Sequence, residues 1–269
     1  MGRNTSRLAG PLAAFSVLAA AAAPTYAAAE PGSEEDLLRL RFDRLDDSGL
    51  PLLDAVGAPD LVGTVSSVPG GSVTSGPDRN PAGHSLRMEP FRYGEAARPA
   101  VVVLRPAPGA PDRTDPGHDD FAFGADFMLD AETGVSPTDN GDNLVQRGLF
   151  GPGPQYKIQL DGGRPSCRVS GSEGAVVVRA TDAVDPGQWY RVRCRRVGDV
   201  VTLRVVSSLD SVWQVQAYAV QGRTGTLSYG GNDAPFSIGG KVDASGAVLA
   251  GDSDQFNGLV DNVVFRSLS

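Results

Sequence analysis

The stretch FAFGADFMLD, residues 121–130, decides the fold. Phe121, Phe123, Ala125, Phe127 and Leu129 recur at every second position, so they share one face of an extended chain. That is the period of a strand packed on a core, and a helix would scatter the same residues around its axis. The pattern repeats downstream. In WYRVRCRR (189–196) Tyr190, Val192 and Cys194 face one way and Arg191, Arg193 and Arg195 the other. VVTLRVV (200–206) turns Val201, Leu203 and Val205 inward, and YKIQL (156–160) alternates in the same way.

Further strands are expected at LLRLRFD (37–43), AVVVLRP (100–106), NLVQRGLF (143–150), AVVVRA (175–180), SVWQVQAYAV (211–220), PFSIGG (235–240) and GLVDNVVF (258–265). AVVVLRP is a continuous apolar run, which fits a strand buried on both faces. Residues 44–83 read as loop: SSVPGGSVTSGPDRNPAG holds almost nothing that a core could use. Turn residues punctuate the chain throughout, with 34 Gly and 20 Pro, and no helix is expected beyond the N-terminal leader. Roughly a dozen short alternating strands make an all-β, antiparallel two-sheet jelly-roll β-sandwich. The first and last strands are expected to pair.

Residues 1–29 read as a signal peptide. Arg3 and Arg7 precede the apolar LAGPLAAFSVLAAAAAP, and TYAAAE supplies small residues for cleavage. Residues 30–269 are then one domain, secreted and extracellular. The chain carries a net charge of −8; without Arg3 and Arg7 it keeps 22 basic and 32 acidic residues, a charge of −10. That argues against general nucleic-acid or anionic-membrane binding, which need a basic surface. In an exported chain the two cysteines, Cys167 and Cys194, read as one disulfide, worth about 3–4 kcal/mol by loop-closure entropy.

Catalytic signatures are missing. No Glu-x-Asp-x-x-Glu strand supplies the carboxylate pair of a retaining glucanase, and no Gly-x-Ser-x-Gly, His-Glu-x-x-His or phosphate-cradling loop occurs. His84 and His118 fall in expected loops. Binding is the remaining class. Arg168, Arg191, Arg193, Arg195 and Arg204 take outward positions on strands expected to be adjacent, and such a stripe grips sulfate or carboxylate groups. Trp213 is the aromatic platform candidate for a sugar ring, although core packing is the reading for both Trp213 and Trp189. Asp139 and Asp142 flank Gly141 in PTDNGDN, where hard oxygens on a bent loop suit either a turn or calcium. Asp261 shares parity with Val263 and Phe265, so it is expected to point inward, where it needs backbone N–H groups, an arginine or a calcium ion.

In order, LRLRFD, NPAGHSLRM, FAFGADFMLD, NLVQRGLFGPGPQYKIQL, DPGQWYRVRCRRVGDVVTLRV and FSIGGKV…DQFNGLVDNVVF resemble the laminin-G-like, concanavalin A-like lectin and glucanase jelly-roll domains over residues 36–267. The resemblance implies a two-sheet sandwich with Phe256, Gly258 and Asp261 as fold signature and Trp189 as a buried tryptophan. It also implies a carbohydrate or cell-surface glycan as ligand class. A glycoside-acting enzyme or a protein-binding adhesion domain of the same fold is the alternative.

Overall fold

The computed structural model describes residues 34–53, 58–133, 141–209, 212–230, 233–251 and 254–268. In chain order the strands are β1 (Glu34–Leu40), β2 (Leu61–Ser67), β3 (Thr74–Pro77), β4 (His84–Arg87), β5 (Ala100–Pro106), β6 (Phe121–Leu129), β7 (Asp142–Arg147) and β8 (Gln155–Asp161). They continue as β9 (Arg164–Gly171), β10 (Gly174–Arg179), β11 (Trp189–Val197), β12 (Val200–Leu209), β13 (Val212–Gln221), β14 (Phe236–Ile238) and β15 (Gly258–Leu268). No helix forms among the described residues, so none is long and apolar enough to cross a membrane.

Two antiparallel sheets form. The eight-stranded sheet runs β13-β12-β11-β6-β15-β4-β3, with β1 also on β15, and the seven-stranded sheet runs β10-β9-β8-β7-β14-β5-β2. The ends of the domain pair as expected, from Glu34 opposite Leu268 to Leu40 opposite Val263. The expected loop at 44–83 is corrected. It contains β2, paired along its length with β5, and β3, paired with β4. Both lie at the ends of their sheets. An end strand contributes backbone hydrogen bonds and needs little apolar surface, so Ser, Thr and Gly serve there.

The core lies between the sheets. Phe121, Phe123 and Phe265 cluster round Tyr156, whose hydroxyl donates to the Thr114 carbonyl at 2.8 Å. Phe127 meets Phe256 edge-on at 6.0 Å. Cys167 on β9 and Cys194 on β11 are bonded and fully buried, so the disulfide ties one sheet to the other. β5 is buried on both faces, as its sequence suggests: Val102 and Leu104 enter the main core, while Val101 and Val103 form a second cluster with Ala234 and Val242.

Candidate functional site

The site is built on the outward-facing residues of the eight-stranded sheet, and a break in strand periodicity creates it. Along β15, Val260 pairs with Phe127 and Asp261 with Asp126, but the ladder resumes only at Val264 opposite Gly124. Asn262 and Val263 therefore oppose Ala125 alone, which is a β-bulge. Asn262 takes a left-handed φ of 47°, a conformation that asparagine tolerates better than most residues. The bulge shifts the parity. Val260, Val263 and Phe265 point into the core, while Asp261 pairs on the outer face. The expectation that Asp261 points inward is thus corrected, because period two does not survive an inserted residue.

Asp261 is nonetheless 3 % exposed. Its Oδ2 accepts from Asn262 Nδ2 at 2.6 Å, and its Oδ1 has no hydrogen-bond partner. Burial pushes its carboxyl up to about 8, reinforced by the charges of Asp78, Asp126 and Asp43 and opposed by the Asn262 amide. The carboxylates of Asp43 and Asp78 both press on Gly83, where a Cβ would lie 2.8 Å from one and 2.7 Å from the other.

Its neighbour Asp126 is compensated differently. Arg191 donates to it through both Nε and Nη2 at 2.8 Å, Arg193 Nη2 adds a bond at 3.1 Å, and Arg79 stands 3.6 Å away. Arg193 also donates to the Asn262 carbonyl at 3.3 Å, so the clamp holds the bulge as well. Desolvation pulls the Arg193 guanidinium down to about 10, against the pull of Asp126, and the Asp126 hydrogen bond holds Arg191 above its ordinary value. Gly124 makes the arrangement possible: a Cβ there would lie 2.1 Å from the Val192 carbonyl and 3.0 Å from the Arg193 Cδ.

Both tryptophans stand at the end of this clamp. Arg79, in the β3–β4 connection, places its guanidinium 5.8 Å from the Trp189 centroid and 5.8 Å from that of Trp213. Trp213 is 59 % exposed and Trp189 is half-buried. The expected core packing of the two rings is corrected: Trp189 alternates with inward Tyr190, and Trp213 lies on the opposite face of β13 from Tyr218. Of the expected arginine stripe, Arg191, Arg193, Arg195 and Arg204 share the outer face of β11 and β12. Arg193 lies directly opposite Arg204 across β11 and β12, and Arg204 is exposed with no acidic partner among the described residues. Arg195 is 3.7 Å from Glu34. Arg168 does not belong to the stripe. It lies on β9 in the other sheet, where Nε donates to Gln155 and the guanidinium stacks on Phe150 at 5.0 Å. Alternation fixes the face of a residue within its strand, not the sheet that the strand joins.

The other expected metal ligands separate from Asp261. Asp142 is buried at the start of β7, opposite Leu160, and Asp139 lies outside the described residues. Among the described residues no group of three or more His, Cys, Asp or Glu could hold a metal ion. His84 opens β4 instead of lying in a loop and bonds Ser75 at 3.2 Å, while His118 meets Thr226 at 2.9 Å. Asp126 and Arg79 are the site residues that sequence reasoning missed. An acid at an outward position of an otherwise apolar strand, with arginines outward on WYRVRCRR, was the available signal.

Residues 144–268 match the family model described as Laminin G domain. The fold is laminin-G-like. Among solved structures, the binding domain of Paraclostridial Mosquitocidal Protein 1 is similar at 9% identity and a TM-score of 0.54, over 86% of this chain and 48% of that one. The enzymatically active domain of bacteriophage CBA120 tailspike protein 2 is similar at 11% identity and a TM-score of 0.50, over 77% and 29%. Domains LG4-5 of the mouse laminin alpha1 chain align at 14% identity and a TM-score of 0.38, over 56% and 36%. The chain thus spans less than half the length of each of these chains, and for the mosquitocidal and tailspike domains the likeness is one of fold. No curated protein matches.

Proposed function

We propose that this laminin-G-like domain is a secreted, non-catalytic binding module, and that its ligand is a carbohydrate bearing carboxylate or sulfate groups. The observation that carries the reading is Arg79 shared between Trp189 and exposed Trp213, beside Arg191 and Arg204, on one sheet face. Indole faces supply flat apolar surface for sugar rings, and guanidinium forks match planar or tetrahedral oxyanions. Among the described residues no acid engages the exposed Arg204 fork, and Arg79 is loosely held at 3.6 Å from Asp126. The disulfide supports an oxidising, extracellular setting. The mosquitocidal protein domain of similar fold is itself a binding domain by name, which is consistent with the class.

A glycoside-acting enzyme is the weaker reading. Asp126 and Asp261 are cross-strand neighbours, which favours it, but both are buried and Asp126 is committed to its arginines. Calcium is a weaker second role, resting on Asp261 alone: its orphaned Oδ1 offers one hard oxygen, while no cluster of three acids among the described residues completes a site.

Thermal melts test both. With a polysaccharide panel, the expected result is a higher melting temperature with acidic glycans, lost in Trp213→Ala. A panel that shifts nothing rejects the glycan ligand, and reducing-sugar release would move the reading to an enzyme. A melt that falls with EDTA and recovers with calcium supports the cation; an unchanged melt removes it.

A further inference from the structure

The eight-stranded sheet ends on β13, and this edge is unlike the others. Within VWQVQAYAVQ there is no charge, no proline and no glycine over ten residues. Its neighbour on one side is β12, paired from Val200–Gln221 to Leu209–Val212. On the far side no backbone hydrogen bond among the described residues meets Trp213–Gln221. About half of its amide and carbonyl groups therefore face away from any strand, in the arrangement that templates addition of another. The other sheet ends are blunted. β3 has four residues and ends on Pro77. β2 carries Gly63, where a Cβ would lie 2.5 Å from the Leu53 Cβ, so a neighbouring segment lies against it. β10 has six residues, beginning at Gly174 and ending at Arg179.

We infer that β13 is a self-association edge, on which a second copy of this chain pairs its own β13 antiparallel. The occupant follows from charge and symmetry. The chain as a whole is acidic, at −8, so two copies meet without repulsion only where the contact itself is uncharged, and β13 is such a stretch. An antiparallel edge is self-complementary under a two-fold axis normal to the sheet, which makes a closed dimer rather than a filament. The outward residues suit close approach: Ala217 and Ala219 are small and exposed, and Val215 and Trp213 are 51 % and 59 % exposed. That axis keeps both outer faces on the same side, so a dimer presents two Trp213 platforms together. The pairing stands whether or not the ligand is a glycan.

Sedimentation velocity of the disulfide-bonded protein, from about 1 to 100 μM, tests this. The expected result is a concentration-dependent dimer. In the double variant Val215→Lys, Ala219→Lys the dimer should be lost across that range, with the melting temperature of the monomer retained. Both lysines extend from exposed outer positions, so they repel across the dyad without entering the core. A parent chain that stays monomeric at every concentration overturns the inference, and so does a dimer that persists in the lysine variant. If the lysine variant fails to fold, Ala217→N-methyl-alanine in β13, made by semisynthesis, replaces it, since the Ala217 amide faces away from β12; an unchanged dimer there also overturns the pairing.

Discussion

The outer faces of the two sheets are covered by opposite means. On the seven-stranded sheet, Val101 and Val103 are buried beneath Val242 and Val248, in a segment tied down by Arg105 to the Ala244 carbonyl and by the Val248 amide to Ser66. On the eight-stranded sheet, Asp126 and Asp261 are buried beneath charged side chains, and the compensation is an arginine clamp for one and a raised carboxyl pKa for the other. An apolar cover yields stability and leaves no chemistry. A polar cover is costly unless every charge is answered, and it leaves guanidinium groups and indole rings at the surface.

The largest test of that contrast is Asp126→Ala. It strands Arg191 and Arg193 without their shared carboxylate, Arg193 being the more deeply buried, and a loss of about 3–5 kcal/mol is expected in denaturant unfolding. A loss below about 1 kcal/mol, typical of surface pairs, would mean that the clamp is solvated.

The pH dependence of Asp261 comes next. Its folded pKa, about 8, lies above the ordinary 3.8, so its contribution is fully present below about pH 4 and is lost as the pH rises to about 8. Relative to Asp261→Asn, the parent should weaken by up to about 2.7 kcal/mol between pH 5 and pH 7, at about 1.36 kcal/mol per unit. A flat difference would show that the folded Asp261 carboxyl is ionised over this range and that burial does not hold it protonated.

Val103→Ala probes the apolar side. Removing two buried carbons should cost about 1–2 kcal/mol, independent of pH and salt. Arg204→Ala should be the smallest, within about 0.5 kcal/mol in stability, because the side chain is exposed and has no acidic partner among the described residues. Its effect should appear in glycan affinity instead.

The alternating strands β6, β8, β11 and β12 were legible because each carries enough apolar residues to show its period, as in Phe121–Leu129 and Tyr190–Cys194. β2 and β3 were not, since edge strands of Ser, Thr and Gly are held by backbone bonds that leave no side-chain pattern. The disulfide was legible from two cysteines and an expected export signal. Asp261 was read on the wrong face because one residue, Asn262, resets the parity, and bulges have no fixed sequence mark. Arg168 was joined to the arginines of β11 because sheet membership depends on connections between distant strands, while alternation is local. The meeting of Arg79 with both tryptophans depends on the same long-range topology.

The proposed ligand site is the outer face around Trp213. The chain has two tryptophans, and both stand on that face, so intrinsic fluorescence reports on it directly. Titration with acidic and neutral oligosaccharides of matched length is the decisive measurement. The expected result is a saturable change in emission with the acidic set, weakened in Arg204→Ala and abolished in Trp213→Ala. Binding detected by calorimetry with unaltered tryptophan emission would contradict it, and would move the ligand elsewhere on the domain.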